Sequence, residues 1–127
     1  MKNEFIPYEQ ALALKELGFD EPCFGYYTGD KKHLIIRPSM GRRNEDLNDI
    51  VCTAPLYQQA FRWFREKHNF HHYIEPIHRN SKIQYEYCVV NSSEDAKEFN
   101  EDDIISTYEE AELECIKKLI EIVKKSK

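Results

Sequence analysis

The chain is short of the residues and motifs on which many enzyme families depend. It has only four glycines and five prolines in 127 residues, and no glycines are spaced to cradle a phosphate group. It also lacks a Gly-x-Ser-x-Gly elbow, a His-Glu-x-x-His pair and a Cys-x-x-Cys pair, which mark several hydrolases and zinc sites. The sequence therefore contains no complete catalytic motif, predicts no cofactor and favours a protein without enzymatic activity.

Long apolar runs and disulfide spacing are missing as well. No stretch approaches the roughly 20 apolar residues that cross a bilayer, and no basic start followed by an apolar run marks an export signal. The four cysteines, Cys23, Cys52, Cys88 and Cys115, are too widely spaced for a disulfide scaffold. We expect reduced thiols, no membrane association and a cytoplasmic location.

The net charge of −5 argues against binding to nucleic acid without sequence preference, because such binding depends on a positive surface that releases counterions. A local basic cluster keeps the possibility open. Its members follow Tyr26 and Tyr27, whose rings could stack on bases. The cluster comprises Lys31, Lys32, Arg37, Arg42 and Arg43. One alternative function is therefore a single-stranded nucleic-acid binder, and the other interpretation is an ordinary solvated segment.

Aromatic residues are abundant, at 13% of the chain. Rings of this kind fill a core or anchor a protein interface. Tyr26, Tyr27 and Trp63 are the candidate anchors, and core packing is the alternative interpretation for each.

Three segments with helical spacing alternate with two predicted hairpins. The first helix starts near Pro7 and ends at Gly18, the second has Thr53 as its N-cap, and the third has Thr107 as its N-cap. The first hairpin joins strands at 23–28 and 33–37, and the second joins strands at 71–77 and 83–90 through a turn at 79–82. We interpret 38–49 and the acidic stretch 92–103 as loops.

This order, α-ββ-α-ββ-α, predicts an α+β fold. Amphipathic helices need a sheet to cover, and hairpin strands are antiparallel. We expect a single domain over 1–127, a two-layer sandwich in which three helices cover an antiparallel sheet built from both hairpins.

A short sequence pattern is repeated in the three predicted helices. Tyr8, Tyr57 and Tyr108 are each followed by two Glu or Gln residues and an alanine. The spacing suits a duplicated unit of helix and hairpin, while chance is the other interpretation because the pattern consists of common helix formers.

The histidines form the most chemically suggestive group. His68, His71, His72 and His78 lie close in sequence, and imidazole is a common zinc ligand. Adjacent strand residues point to opposite faces, however, so His71 and His72 would diverge. A small metal-dependent enzyme centred on these histidines is a second alternative, and we expect no metal.

Three stretches carry a family resemblance. Residues 8–23, the segment 54–67 (Ala-Pro-Leu-Tyr-Gln-Gln-Ala-Phe-Arg-Trp-Phe-Arg-Glu-Lys) and residues 108–113 resemble a group of small uncharacterised proteins encoded by tailed phages and prophages of Bacteroidetes. The resemblance implies a phage accessory protein in the cytoplasm of a bacterial host and supplies no catalytic residues. The leading hypothesis is a non-enzymatic binding module for a host or phage protein, including by self-association as a homo-oligomer.

Overall fold

The computed structural model describes residues 2–29, 33–37, 41–46, 50–91, 97–99 and 105–126. In these ranges the helices are α1 (Tyr8–Glu16), α2 (Tyr57–His68) and α3 (Tyr108–Lys125). The strands are β1 (Gly25–Thr28), β2 (His33–Ile36), β3 (Ile50–Ala54), β4 (Phe70–Arg79), β5 (Lys82–Asn91) and β6 (Lys97–Phe99). The α+β class is confirmed, as is the alternation of helices with hairpins.

The chain groups into two compact units, Met1–Ala60 and Phe61–Lys127. Each unit contains a three-stranded antiparallel sheet, with strand order β2-β1-β3 in the first and β4-β5-β6 in the second. The two predicted hairpins therefore lie in separate sheets, and each is extended by a further strand from its own unit.

In the first unit, α1 contacts β3. The Ala11 N–H donates to the Pro7 carbonyl at 2.8 Å, so Pro7 is the N-cap and Tyr8 the first helical residue. After the helix, Gly18 takes a φ of 99°, a conformation that favours glycine. The predicted start and end of this helix are confirmed.

The centre of the first sheet is tightly packed. Gly25 lies so close to the buried Phe5 that an added Cβ would stand 2.9 Å from its ring. The Tyr27 hydroxyl donates to the Ile6 carbonyl at 2.6 Å in the interior. A buried tyrosine is thus packed with its one polar atom satisfied.

The predicted start of the second helix is wrong. Thr53 does not cap a helix: it lies in β3, pairs with Tyr26 and is fully buried, while α2 begins at Tyr57. Proline disfavours helical backbone at the residue before it, so Pro55 separates the strand from the helix. The sequence-based loop at 38–49 includes a short 3-10 turn, Asn44–Asp46, and its residues 38–40 and 47–49 lie outside the described ranges.

In the second unit, β4 and β5 form a hairpin of ten-residue strands whose turn is at the predicted position. Asn80 and Ser81 have φ values of 50° and 63°, as two-residue hairpin turns require. The stretch predicted as an acidic loop contains β6, which pairs with Cys88–Val90. Its residues 92–96 and 100–103 are among those the structure does not describe.

The prediction for the third helix is confirmed. The Glu110 N–H donates to the Thr107 hydroxyl at 3.1 Å, so Thr107 is the N-cap of α3. The helix contacts β5 and β4, and its apolar stripe is buried. That stripe comprises Ala111, Cys115, Ile116, Leu119, Ile120 and Val123. None of the helices in the described ranges is both long enough and apolar enough to span a membrane.

Candidate functional site

The rings predicted to anchor a partner are buried. Tyr26, Tyr27 and Trp63 expose only 8%, 6% and 4% of their surface. The Tyr27 ring meets Tyr8 edge-on at 5.6 Å, and Trp63 meets Phe64 in the same way at 5.0 Å. The expectation that these rings are displayed at the surface is therefore corrected: they belong to the interior, where edge-to-face packing is favourable.

Two cations of the basic cluster converge on the Tyr26 ring. The Arg37 Nε–H donates to the Tyr26 hydroxyl at 3.3 Å, and the Arg42 guanidinium lies 5.7 Å from the ring centroid. Such a contact is within cation–π range. The Arg43 guanidinium lies 3.9 Å from a carboxylate oxygen of Glu45. Lys31 and Lys32 are outside the described residues.

An exposed ring that the sequence interpretation missed accompanies these arginines. Phe24 exposes 48% of its surface, and its carbonyl accepts from the Arg37 N–H at 2.6 Å. This bond continues the pairing of β1 with β2 by one residue, so the exposed Phe24 and Arg37 are cross-strand partners at the end of the hairpin. The sequence signal was present, since Phe24 lies two residues before Tyr26, but the pattern did not show which rings the fold would cover.

The histidines do not converge. The His72 ring stacks on Phe61, with centroids 3.6 Å apart and planes 10° from parallel. Burial, followed by the charges of Arg65 and His71, lowers the pKa of His72 to about 4. His71 and His78 are exposed on β4. Across the described ranges, no group of three or more His, Cys, Asp or Glu residues is placed to hold a metal ion.

The cysteine side chains lie in the interior. All four cysteines are free and inaccessible. Burial raises the pKa of Cys23 to about 12 and that of Cys52 to about 11, and it raises the pKa of Cys115 as well. Because the thiolate is the reactive form, these three side chains are poor nucleophiles at neutral pH.

Among the described residues of the second unit, positions 78–83 form the longest run of exposed residues. We call the end of the β4–β5 hairpin, residues 77–84, the hairpin tip. Ile83 exposes 56% of its surface there, next to the exposed cations Arg79 and Lys82. The third strand β6 pairs only with Cys88–Val90, and a single bridge joins Tyr85 to Ile105. Within the described ranges, the hairpin tip is therefore only two strands wide.

A second exposed feature is the side of β4 that faces away from β5, which we call the β4 edge. The Tyr85 N–H donates to the Ile105 carbonyl at 2.9 Å. Tyr85 therefore directs its backbone groups away from β4. Hydrogen bonding alternates along an antiparallel strand, so Gln84 and Glu86 bond to their β4 partners, Ile77 and Glu75.

The alternate residues of β4 consequently direct their backbone groups outward. These are Phe70, His72, Ile74, Pro76 and His78. A proline is tolerated at such a position because it costs no bond within the sheet. No described segment pairs with this side of β4, which leaves a row of donors and acceptors interrupted at Pro76.

Side chains beside the β4 edge add to this surface. Tyr73 exposes 41% of its surface and lies between the exposed residues His71 and Glu75 on one face of the sheet. Hydrogen bonding to Cys88 raises the pKa of the Tyr73 hydroxyl. The arrangement offers backbone pairing and polar recognition rather than a cavity for chemistry.

No protein-family model, curated protein or solved structure matches this chain.

Proposed function

We propose that the chain is a non-enzymatic binding module that docks on a host or phage protein, as a phage-type accessory protein in a bacterial cytoplasm. The observation that carries the proposal is the hairpin tip. It projects past the third strand of its sheet and exposes Ile83, the most exposed large apolar side chain in the described ranges. A surface of this kind suits contact with another protein.

The stability of the hairpin tip supports the same proposal. Two strands alone are only marginally stable in water, so the tip gains by packing against a partner. Arg79 and Lys82, both exposed, form the pair next to Ile83 along the hairpin and lie on the opposite face from it. A partner that encloses the tip therefore meets Ile83 on one face and these cations on the other. We expect it to offer an apolar recess and nearby acidic residues, since complementary charge favours encounter and orientation.

The chemistry of the buried groups favours binding over catalysis. Cys23, Cys52 and Cys115 hold protonated thiols at neutral pH, and the His72 ring is neutral and stacked on Phe61. A nucleophile needs an accessible and activated group. These four side chains do not supply one.

A photo-crosslinking residue at position 83 tests the proposal. The full chain with this residue is expressed in Bacteroidetes cells infected with a tailed phage, and irradiation should join it to one discrete protein. The same residue in place of Lys124, which is exposed on α3, is the matched control and should give no such adduct.

A competition experiment completes the test. Excess unaltered protein, added before irradiation, should compete for the partner and reduce the yield of the adduct. The variant Ile83→Asp keeps the exposed position but removes the apolar contact, and we expect it to leave the yield unchanged. Equal adducts at positions 83 and 124, or none at either, contradict the proposal.

A single-stranded nucleic-acid binder is the second candidate, favoured by the exposed Phe24 ring next to Arg37. Tyr26 and Tyr27 are buried and cannot stack on a base, so Phe24 takes that role in this candidate. Base stacking on an aromatic ring is worth about 1–3 kcal/mol per base. The cations Arg37 and Arg43 would contact phosphates.

The salt dependence of oligonucleotide binding tests this candidate. Binding should weaken as salt rises, and the variant Phe24→Ala should weaken it about tenfold or more. Tyr73→Ala, an exposed ring in the other unit, is the control. Oligonucleotide binding that does not respond to salt or to Phe24→Ala removes the candidate.

A further inference from the structure

The β4 edge carries a self-complementary pattern of side chains. His71, Tyr73 and Glu75 are exposed and lie on one face of the sheet at alternate positions. If two such segments run antiparallel with Tyr73 opposite Tyr73, each His71 faces the Glu75 of the other copy. An imidazole N–H donates to a carboxylate, so the same favourable contact forms twice.

The position of Glu75 within its own hairpin also favours a hydrogen-bond donor beside it. Its direct partner on β5 is Glu86, and like charges directly opposite each other destabilise a sheet. A donor on the outer side of Glu75 offsets this repulsion. In the register described above, His71 of the second copy takes that position.

The backbone of β4 fits the same register. His72 and Ile74 direct their N–H and carbonyl groups outward, and they lie opposite each other when Tyr73 is at the centre. The Phe70 N–H of one copy then donates to the Pro76 carbonyl of the other. This bond forms although proline has no N–H of its own. A register centred on Glu75 instead sets two carboxylates against each other, which is unfavourable.

We propose that the chain pairs with a second copy of itself through the β4 edge, in the antiparallel register that places Tyr73 opposite Tyr73. This inference rests on the proposed function, because it specifies a partner for the binding module. The paired residues, 70–76, adjoin the hairpin tip at 77–84, and Ile83 is not among them. Two copies paired in this way form a six-stranded sheet.

Disulfide trapping tests the register directly. Tyr73 and its copy form a non-hydrogen-bonded pair, with Cα atoms about 4.5 Å apart, within the range of about 4.4–6.8 Å that a disulfide spans. Mild oxidation of the full-length Tyr73→Cys variant should therefore give a covalent dimer on a non-reducing gel. Cys88 lies directly opposite Tyr73 on β5, so these cysteine variants are made in a Cys88→Ala background. The other three native cysteines are buried and should not contribute.

The neighbouring positions supply matched controls. His71→Cys alone should crosslink poorly, because its two thiols lie far apart in this register. A mixture of His71→Cys and Glu75→Cys should instead give the mixed dimer, since these positions face each other. A dominant dimer from His71→Cys alone overturns the register.

Charge exchange tests the same contact without a new thiol. Glu75→Lys should raise the dimer dissociation constant about tenfold, since two contacts are lost. Adding His71→Glu to Glu75→Lys should restore it. Glu114→Lys makes the same charge change on α3, away from the β4 edge, and should leave association unchanged in sedimentation measurements.

The outcomes separate this inference from the proposed function. A chain that sediments as a monomer at every concentration, with Tyr73→Cys no more crosslinked than His71→Cys, overturns self-pairing. A crosslink from position 83 to a different protein would stand in that case and keep the proposed function. A dimer with the stated disulfides but no adduct at position 83 supports self-pairing alone.

Discussion

The two units use the same parts in different arrangements. Each has an antiparallel hairpin with a third strand and a helix packed on the sheet, α1 on β3 in the first and α3 on β5 in the second. In the first sheet the central strand is β1, the first strand of its hairpin, whereas in the second it is β5, the second strand. The difference shows that the third strand joins opposite sides of the two hairpins.

This difference bears on the repeated tetrapeptide. Tyr8, Tyr57 and Tyr108 are each the first residue of a helix, and the alanines three positions later are all buried. The repeat thus marks how a helix starts and where it first packs. Because the sheets differ in strand order, the repeat does not mark two copies of one folding unit.

The two hairpins also differ in how much of them is covered. In each hairpin the buried residues lie on the central strand, three of the four in β1 and three of the ten in β5, and none lies in β2 or β4. The second hairpin is the longer one, and its strands extend past the part that is covered. Both proposed binding surfaces, the hairpin tip and the β4 edge, belong to this longer hairpin.

Removal of a buried leucine should give the largest effect. Leu14 on α1 and Leu119 on α3 are both almost fully buried, and Leu→Ala at such sites costs about 2–5 kcal/mol. We expect each change to lower the free energy of unfolding by about 3 kcal/mol in urea titrations. Hydrogen exchange should show the larger loss of protection in the unit that carries the change. Equal losses in both units would contradict the division of the chain into two units.

Acid should act on the second unit through His72. Its pKa is lowered to about 4 in the folded chain, from an ordinary value of 6.5, so the unfolded state takes up a proton first as the pH falls. Stability from this group is complete above pH 6.5 and is lost as the pH drops towards 4, by on the order of 2 kcal/mol. Unfolding measured across this range should lose the acid dependence in His72→Phe and keep it in the exposed-site control His78→Phe.

Capping distinguishes the first helix from the last. Thr107 accepts a hydrogen bond at the start of α3, whereas Pro7 offers α1 no side-chain acceptor. Thr107→Ala should cost about 1 kcal/mol, and Thr107→Ser, which keeps the hydroxyl, should cost much less. Thermal unfolding followed by circular dichroism measures both, and an equal loss in the two variants would contradict the role of the cap.

The hairpin turns should respond in opposite directions. Ser81 has a positive φ that an L side chain rarely adopts, and Gly29 has one as well. Ser81→Gly should raise the free energy of unfolding by roughly 0.5–1 kcal/mol, while Gly29→Ala should lower it by about the same amount. Urea titration of the two variants measures the contrast, and destabilisation by Ser81→Gly would contradict the strain assigned to that turn.

The sequence predicted the elements whose signals lie within a short stretch of the chain. α3 has an N-cap and a continuous apolar stripe, and the second hairpin has a two-residue turn between long strands. These signals lie within a few residues of each other, so they do not depend on the rest of the chain. The buried Cys115 and Val123 followed from the same pattern.

Elements that depend on distant partners were missed. The segment 50–54 is rich in β-branched residues, but Thr53 also suits an N-cap, and only pairing with Tyr26 decides for the strand. The three-residue strand β6 is too short to show a period. Tyr26 is buried whereas Phe24, just before β1, is exposed. Which of these two rings is covered depends on segments distant in the sequence.

Pro76 has a consequence for how far association can go. An exposed edge strand is a template on which further chains can add, and unchecked addition ends in fibres. A strand added along β4 meets no N–H at Pro76, so one hydrogen bond of the ladder is lost there. The same residue that is harmless to the native hairpin thus weakens the edge as a template for further addition.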